Sequence, residues 1–179
     1  MKILFISDIH GIKTNLPLIK EIMDKNGIAK LVVLGDLYYI GPRNKMNNNY
    51  DIEYVKSFLE AYKDRLICLR GNCDSDVDLN VSNFLVIDGL STIVIDGVTL
   101  YLTHGNHINK DFHPYIDNGI LIYGHEHIPY IEIKDKLVCI NPGSISLPRV
   151  GEATYMIYEN YTFTIFDVNG QKINEIKVK

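Results

Sequence analysis

The sequence predicts an α/β protein built from two packed β-sheets with helices on the outside. The first half of the chain alternates short apolar runs with amphipathic segments, the pattern of a parallel sheet with right-handed crossovers. The second half consists of apolar-rich runs separated by short turns, which predicts mostly antiparallel strands. A length of 179 residues suits one domain spanning 1–179.

Three buried strands and two helices are predicted in the first half. Thr14 is the predicted N-cap of a helix that ends near Asn26 and has its apolar residues on one face. Asp51 is the predicted N-cap of the second helix, whose apolar residues repeat at i, i+3, i+4 and i+7. The predicted strands are the apolar runs KILFIS at 2–7, KLVVL at 30–34 and RLICL at 65–69.

Turn signals divide the second half. Asp96 and Gly97 stand between two apolar-rich runs, a strong hairpin signal. Further turns are predicted near 134–136, 159–160 and 169–170. In the first half, the polar, asparagine-rich segment 41–51 is expected to be an exposed and mobile loop.

Composition limits the classes of function. The net charge of −4 gives no basic footprint, so a broad nucleic-acid surface is not expected, whereas a small nucleotide site stays open. The three cysteines Cys68, Cys73 and Cys139 are odd in number and do not predict a disulfide framework. No leader is visible and no apolar stretch reaches about 18 residues, so we expect a reduced, cytoplasmic protein without a membrane partner.

Polar side chains follow five apolar runs at the points where the predicted strands end. The carboxyl ends of parallel strands meet at one edge of a sheet, which is where ligands bind in α/β proteins. Flanking glycines permit tight turns there. The side chains concerned are Asp8, His10, Asp36, Asn72, Cys73, Asp74, His104, His125 and His127.

These side chains predict a metal centre. Carboxylate, imidazole and amide oxygen are donors that suit Mn²⁺, Fe or Zn²⁺. Seven of the side chains are candidate donors, too many for one tetrahedral ion. They fit two ions that share a carboxylate and lie about 4 Å apart. Each motif alone has a plainer interpretation, since the aspartates could cap turns and the histidines could be exposed. The ordered series of five motifs favours the metal centre.

The series of motifs resembles the calcineurin-like metallophosphoesterase superfamily. It is closer to the small prokaryotic branch, the YfcE-type phosphodiesterases. The resemblance covers residues 1–149, and it implies a four-layer α/β/β/α sandwich of two mixed β-sheets flanked by helices. The motifs that carry it are SDIHG, LGD followed by GPRN, RGNCDS, LTHG, YGHEH and NPGSISLPR.

The resemblance also implies the role of each ligand. One metal would be bound by Asp8, His10 and His127, and the other by Asn72, His104 and His125. Asp36 would bridge them together with a water or hydroxide that attacks phosphorus. Two divalent ions per chain are implied, with Mn²⁺ expected and Ni²⁺, Fe²⁺, Zn²⁺ and Co²⁺ as alternatives. The residues predicted to be catalytic are Asn72, Asp74 and His104, with Asp74 orienting its neighbours.

Cys73 departs from the family pattern. Many relatives carry histidine at this position, the usual candidate for protonating the leaving group. A neutral thiol is a weak hydrogen-bond donor, so Cys73 is a poor substitute for that acid. We expect it to line the substrate pocket as a compact residue, neither nucleophile nor zinc ligand. The departure favours phosphodiesters with good leaving groups over phosphoproteins.

Several further polar residues have weaker assignments. Arg43, on the polar loop, is a candidate substrate-binding residue that would clamp a phosphate, or else a solvated loop arginine. Arg70 and Arg149 flank motifs and are expected to brace them. The segment 141–144 is expected to shape the site rim through its backbone. The histidines outside the motifs, expected at the surface, are His107 and His113.

Three functions remain open at this stage. The first is a dinuclear-metal phosphodiesterase acting on a small phosphodiester, with a nucleotide as one option. The second is a non-catalytic scaffold, because the eukaryotic retromer subunit has this fold without an intact catalytic site. The third is a phosphomonoesterase or protein phosphatase, which Cys73 disfavours. A homo-oligomer, either a dimer or a tetramer, is an open option for the assembly.

Overall fold

A computed structural model describes residues 1–42, 44–114, 116–134 and 136–179. In chain order, the elements are β1 Lys2–Ile6, α1 Leu16–Lys25, β2 Lys30–Val33, α2 Ile52–Ala61, a 3₁₀ turn Lys63–Arg65, β3 Leu66–Leu69, α3 Asp76–Val81, β4 Val86–Ile87, β5 Ser91–Ile95, β6 Val98–Leu102, β7 Gly119–Ile122, β8 Pro129–Lys134, β9 Leu137–Pro142, β10 Thr154–Glu159, β11 Thr162–Asp167 and β12 Lys172–Lys177.

The first sheet joins both ends of the chain. Its seven strands lie in the order β12-β11-β10-β1-β2-β3-β4. Strands β1 to β4 are parallel, as the alternation of strands and helices predicts. Strand β10 then pairs antiparallel with β1, and β11 and β12 extend that edge. This pairing supports the prediction of one domain over 1–179, which stays a prediction.

The second sheet is more parallel than the sequence predicts. Its five strands lie in the order β5-β6-β7-β9-β8. The predicted hairpin of β5 and β6 is confirmed, and Asp96 and Gly97 have φ of 53° and 77°, as a two-residue primed turn requires. However, β6, β7 and β9 are parallel to one another, so the prediction of mostly antiparallel pairing is wrong at the centre of this sheet. The long segment 103–118 provides the crossover without a helix in its described residues.

The remaining turn predictions have mixed outcomes. Asn160 and Tyr161 have positive φ, so the turn after β10 lies one residue later than predicted. The turn predicted near 134–136 includes Asp135, which lies outside the described residues, but β8 and β9 pair on both sides of it. Residues 44–49 are exposed, as predicted for the polar loop.

Two helices cover the outer face of the first sheet. Asp51 is confirmed as the N-cap of α2, because its Oδ1 accepts the Tyr54 N–H at 3.0 Å. The prediction that Thr14 caps α1 is wrong, since the N-cap is Asn15. The Asn15 side chain makes no capping bond and instead donates to the Ile145 carbonyl at 2.7 Å, which ties the helix to the loop after β9.

The two sheets pack face to face, which confirms the predicted sandwich. Between them lies an apolar core of buried side chains, among them Phe5, Val32, Leu102, Ile122 and Phe163. The outer face of the second sheet carries a smaller buried cluster that includes Leu121 and Tyr123. In the described residues that face is covered by loop rather than helix, because α1 to α3 all precede β4. None of the described helices is long and apolar enough to cross a bilayer.

Phe163 provides a test of the core between the sheets. The ring is fully buried, and its centroid is 4.8 Å from that of Tyr158 and 6.3 Å from that of Phe5. Replacing an aromatic core residue by alanine removes buried area and leaves a cavity, so Phe163→Ala should lower the free energy of unfolding by about 3–5 kcal/mol. The measurement is urea unfolding. The matched control is Ile173→Ala on β12, where the side chain is 45% exposed and the change should stay within about 0.5 kcal/mol. Equal losses would contradict this account of the core.

Candidate metal centre

The carboxyl ends of strands from both sheets meet at one place. Asp8 follows β1, Asp36 follows β2 and Asn72 follows β3 in the first sheet, while His104 follows β6 and His125 follows β7 in the second. Because the two sheets face each other, their strand ends open into the same cavity. The sequence prediction of one shared site is therefore supported by the topology.

Four of the predicted ligands form one compact group. Ligand atoms of Asp8, His10, Asp36 and His127 all lie within 4.8 Å of one another. The His127 Nε2 is 3.3 Å from Asp8 Oδ1 and 3.3 Å from His10 Nε2. The His10 Nε2 is 3.5 Å from Asp36 Oδ2. These donor atoms are close enough to share one ion.

A second group lies on the other side of Asp36. The His104 Nε2 is 3.4 Å from Asp36 Oδ1 and 3.0 Å from Asn72 Oδ1. The ring of His125 lies against that of His104, with 5.2 Å between centroids. The two oxygens of Asp36 therefore face different imidazoles, His10 through Oδ2 and His104 through Oδ1. This is the arrangement that a bridging carboxylate needs.

Backbone hydrogen bonds fix the imidazole rings. In each of three histidines, Nδ1–H donates to a main-chain carbonyl, and the partners are Tyr39 for His10 at 2.6 Å, Leu34 for His104 at 2.7 Å and Leu147 for His127 at 2.6 Å. A proton on Nδ1 leaves the Nε2 lone pair free to bind a metal. All three Nε2 atoms are the ones that face the carboxylates.

Five of the seven predicted ligands have a left-handed backbone. Positive φ is uncommon for a residue with a side chain, and it persists only where the surrounding structure enforces it. Here it occurs in the loops that follow β1, β2 and β7. The residues and their φ values are Asp8 at 56°, His10 at 52°, Asp36 at 57°, His125 at 64° and His127 at 58°.

Asp74 holds two strand ends together from below the site. Its Oδ2 accepts the Asp36 N–H at 2.9 Å and the Gly71 N–H at 2.7 Å, and its Oδ1 accepts the Leu37 N–H at 2.7 Å. Burial raises the pKa of Asp74 despite these bonds. The side chain thus holds the backbone of Asp36 in place, whereas a role for Asp74 in catalysis stays a prediction.

The charges of the site fit a bound cation. Burial alone would raise the pKa of Asp36 and Asp8, but the neighbouring imidazoles outweigh it and leave both pKa values below their usual range. Burial opposes the charged form of His104, yet Asp36 and Asp8 raise its pKa to about 9, so a metal that binds Nε2 must displace a proton from it. Burial and the neighbouring His104 lower the pKa of His125.

Two buried side-chain oxygens of the described residues lack a hydrogen-bond partner, Ser7 Oγ and Asp8 Oδ1, and the second lies among the candidate ligands. Within the described residues, Asp8 Oδ1 has no hydrogen bond although the residue is fully buried. A buried carboxylate oxygen is costly unless it binds a donor or a cation. The histidine nitrogens beside it present their lone pairs, so a divalent ion at this point satisfies all of them. The residues therefore fit a metal.

Cys73 lines the cavity beside Asp36. Its N–H donates to Asp36 Oδ1 at 2.8 Å, while its side chain is half-buried. Burial and the Asp36 charge raise the pKa of the thiol to about 12, so the side chain is neutral at physiological pH. All three cysteines are free thiols, which agrees with the absence of a predicted disulfide framework.

The cavity above these groups is large enough for a substrate. It has a volume of about 610 Å³, and Arg149 lies on its wall. Arg43, the predicted phosphate clamp, lies outside the described residues. Arg70 donates to the Asp74 carbonyl at 3.0 Å and pairs with Asp76 at 2.9 Å, so it braces its motif as predicted.

Two other assignments need correction. The segment 141–144 is predicted to shape the rim of the site through its backbone. However, Asn141 and Ser144 are fully buried, and their side chains hold neighbouring loops. Asn141 donates to the Gly124 carbonyl at 2.7 Å, and Ser144 Oγ donates to the Asp8 carbonyl at 2.8 Å. His107 is exposed as predicted, whereas His113 is half-buried and donates from Nδ1 to the Ile116 carbonyl at 3.0 Å.

Comparisons with known proteins agree with this geometry. Residues 1–162 match the family model of the calcineurin-like phosphoesterase superfamily domain. The chain is 34% identical to phosphodiesterase YfcE of Escherichia coli strain K12 over 175 residues, which are 97% of this chain and 95% of that protein.

Solved structures support the same fold. The structure of the E. coli phosphoesterase YfcE superposes with a TM-score of 0.95 at 31% identity and covers 100% of both chains. Vps29 of Entamoeba histolytica, solved in complex with Zn²⁺, superposes with a TM-score of 0.65 at 17% identity and covers 98% of both chains. At that identity, the second likeness shows the fold alone.

Gly71 provides a test of how the strand ends approach one another. A Cβ at this position would collide with Asp36 Oδ1 and would lie 2.8 Å from Asp36 Cγ. Gly71→Ala should therefore displace the Asp36 carboxylate, destabilise the protein and weaken Mn²⁺ binding at least tenfold in calorimetric titration. The control is Gly170→Ala, where φ is +84° but no atom lies within 4 Å. It should cost about 1 kcal/mol of stability from backbone strain and leave Mn²⁺ affinity unchanged. Equal effects on Mn²⁺ affinity would contradict the steric argument.

Proposed function

The chain belongs to the calcineurin-like phosphoesterase superfamily, and we propose that it is a dinuclear-metal phosphodiesterase in which a hydroxide shared by two divalent ions attacks phosphorus. The observation that carries the proposal is the position of Asp36 between two imidazoles, with Oδ2 3.5 Å from His10 and Oδ1 3.4 Å from His104. The resemblance of the whole chain to a named phosphodiesterase supports the reaction class.

Two sets of residues would hold the metals. Each set contains imidazole and oxygen donors, which suits Mn²⁺ and also permits Ni²⁺, Fe²⁺, Zn²⁺ or Co²⁺. When bound, the pair supplies a nucleophile by lowering the pKa of water toward about 7, and it neutralises charge on the phosphoryl oxygens. The first set is Asp8, His10 and His127, the second is Asn72, His104 and His125, and Asp36 is shared.

The chain's own residues contribute position and charge. Asp36 is fixed by its bond to Asp74 and keeps its negative charge between the two sets. The Nδ1 bonds of His10 and His104 stop their rings from turning away from the centre. Of the three residues predicted to be catalytic, Asn72 and His104 would act as ligands, whereas Asp74 would act by positioning Asp36.

The side chains around the cavity favour substrates with a good leaving group. A phosphate ester of an alcohol, whether a monoester or a diester, needs a proton on the departing oxygen, and Cys73 is a poor acid because its thiol pKa is about 12. An aryl oxide of low pKa departs without that proton. The resemblance to a named phosphodiesterase supports a diester, so we propose a small phosphodiester with a good leaving group as the substrate and Cys73 as a neutral wall of the pocket.

The non-catalytic alternative is not favoured by the site. A scaffold has no need of candidate ligands with a strained backbone. Asp8, His10 and His127 nevertheless all have a left-handed backbone, and their ligand atoms lie close together. The likeness to Vps29 concerns the fold and does not carry a function to this chain.

We also propose a reducing compartment, the cytoplasm, and a homo-oligomer that is a dimer or a tetramer. The three free thiols support the first proposal. Apolar side chains left in solvent on and after α3 support the second, namely Val77 at 67%, Val81 at 45% and Leu85 at 77% exposure.

Metal content tests the dinuclear proposal directly. The protein saturated with Mn²⁺ should retain two ions per chain after desalting, as measured by elemental analysis. Asp36→Ala should reduce the content to less than one, because one carboxylate serves both sets, whereas Asn72→Ala should remove mainly one ion. The control is Asp117→Ala, an exposed carboxylate outside the cavity, which should retain both. One ion or none in the unmodified protein would overturn the proposal.

Substrate preference tests the role given to Cys73. Under matched conditions, bis(4-nitrophenyl) phosphate should be hydrolysed with a higher kcat/KM than 4-nitrophenyl phosphate. Cys73→Ser should keep nearly full activity on the diester, because the hydroxide and not the sulfur attacks. Faster turnover of the monoester would contradict the diester proposal, and loss of activity in Cys73→Ser with both metals still bound would show that the thiol has a chemical role.

A further inference from the structure

Cys73 lines two separate pockets. One is the cavity of the candidate ligands, and the other is a smaller pocket of about 290 Å³. The walls of the smaller pocket include Tyr38, Tyr39 and Tyr50. Its volume lies at the lower end of the range for ligand sites, so it suits one ring of a ligand rather than a whole substrate. A ligand with phosphorus at the metals could place such a ring past Cys73.

The tyrosines are attached to the loops that carry the metal ligands. The Tyr39 carbonyl accepts the His10 Nδ1–H at 2.6 Å, while the side chain of the same residue lines the smaller pocket. The ring of Tyr50 packs on Gly11, the residue after His10, and a Cβ there would collide with it. The distance between the aromatic walls and the metal centre is therefore fixed by the fold.

The aromatic surface of this pocket remains open to solvent. Tyr39 is 45% exposed and Ile52, on the same wall, is 37% exposed. Large apolar side chains grouped around a concave site mark a ligand surface more often than scattered ones do. Flat tyrosine faces stack on a planar ring, and such stacking is tolerant of the identity of the base.

The opposite wall of the pocket is polar. Ser75 and Asp78 lie there and form the capping box of α3. Asp78 Oδ2 accepts both the Ser75 N–H at 2.7 Å and the Ser75 hydroxyl at 2.8 Å. Both bonds use the same oxygen, so Oδ1 is outside the capping box and can accept a hydrogen bond from a ligand. A carboxylate at this point favours an amino group and opposes an anionic substituent.

We propose that this pocket binds the nucleobase of a nucleotide phosphodiester, stacked on Tyr39 and Tyr50 with its amino group donating to Asp78. The proposal rests on the proposed function, because it names the substrate class of the same site. A simple alkyl ester would leave the tyrosine faces in water. A base that carries an amino group would stack on the aromatic wall and donate a hydrogen bond to the polar wall.

Binding of adenosine alone tests the pocket without any hydrolysis. Calorimetric titration should show saturable binding to the metal-free and the Mn²⁺-loaded protein. Tyr50→Leu should weaken it about tenfold or more, the loss expected for one stacking contact, whereas Tyr50→Phe should bind within about threefold of the unmodified protein. The control is Tyr54→Leu, a 37% exposed tyrosine on α2 that does not line the pocket. Adenosine should also bind more tightly than inosine, which lacks the amino group.

A kinetic comparison links the pocket to the reaction. The adenosine 5′-ester and the ribose 5′-ester of 4-nitrophenyl phosphate share the leaving group and the sugar, so their kcat/KM ratio isolates the effect of the base. The unmodified protein should prefer the adenosine ester more than tenfold, and this preference should fall about tenfold in Tyr50→Leu. If the phenyl ester of 4-nitrophenyl phosphate has as high a kcat/KM as the adenosine ester, any aromatic ring suffices and the nucleobase proposal is overturned.

The two levels of the proposal fail in different ways. If adenosine binds as described but no diester is hydrolysed, the pocket stands and the proposed function is wrong. If diesters are hydrolysed but adenosine does not bind and the base adds nothing to kcat/KM, the pocket proposal is wrong. Equal binding of adenosine and inosine would overturn the role given to Asp78.

Discussion

The rest of the site depends on one shared carboxylate. Asp36 lies between His10 and His104, and the pKa of its buried carboxyl is held below its usual range. To reach that position, β2 must end beside both β1 and β6, which belong to different sheets. The apolar core between the sheets supplies this alignment, because it fixes how the strands of one sheet lie over those of the other. Packing far from the site is thus what sets the distance between its two halves.

Strained backbone is the cost of this arrangement. A residue with a side chain loses about 1–2 kcal/mol in the left-handed region, and five of the candidate ligands are held there. The strain persists because backbone groups of these loops are hydrogen-bonded to one another. The His10 N–H donates to the Asp36 carbonyl at 2.9 Å, and the Asp8 N–H donates to the Gly35 carbonyl at 3.1 Å. The strand ends therefore hold one another in the strained form, and a cation that satisfies Asp8 Oδ1 would add to that stability.

Sequence reasoning succeeds where the signal is local. The pairs Asp8 with His10 and His125 with His127 are visible because both members lie within five residues of the end of the preceding strand. Sequence reasoning fails where a side chain is oriented by a backbone group. The Leu34 carbonyl orients His104, and the pattern of side chains along the chain does not reveal this bond. The parallel centre of the second sheet was missed for a similar reason: residues 103–118 form a crossover without the helical periodicity that usually reveals one.

The neutral thiol at position 73 has a consequence for the whole cavity. A thiol with a pKa of about 12 adds no charge and little volume. Under the proposals above, the metal centre would stabilise charge, and the adjoining pocket would select by shape on the Cys73 side through its tyrosines. Such an enzyme would gain substrate selectivity at the position where it lacks an acid.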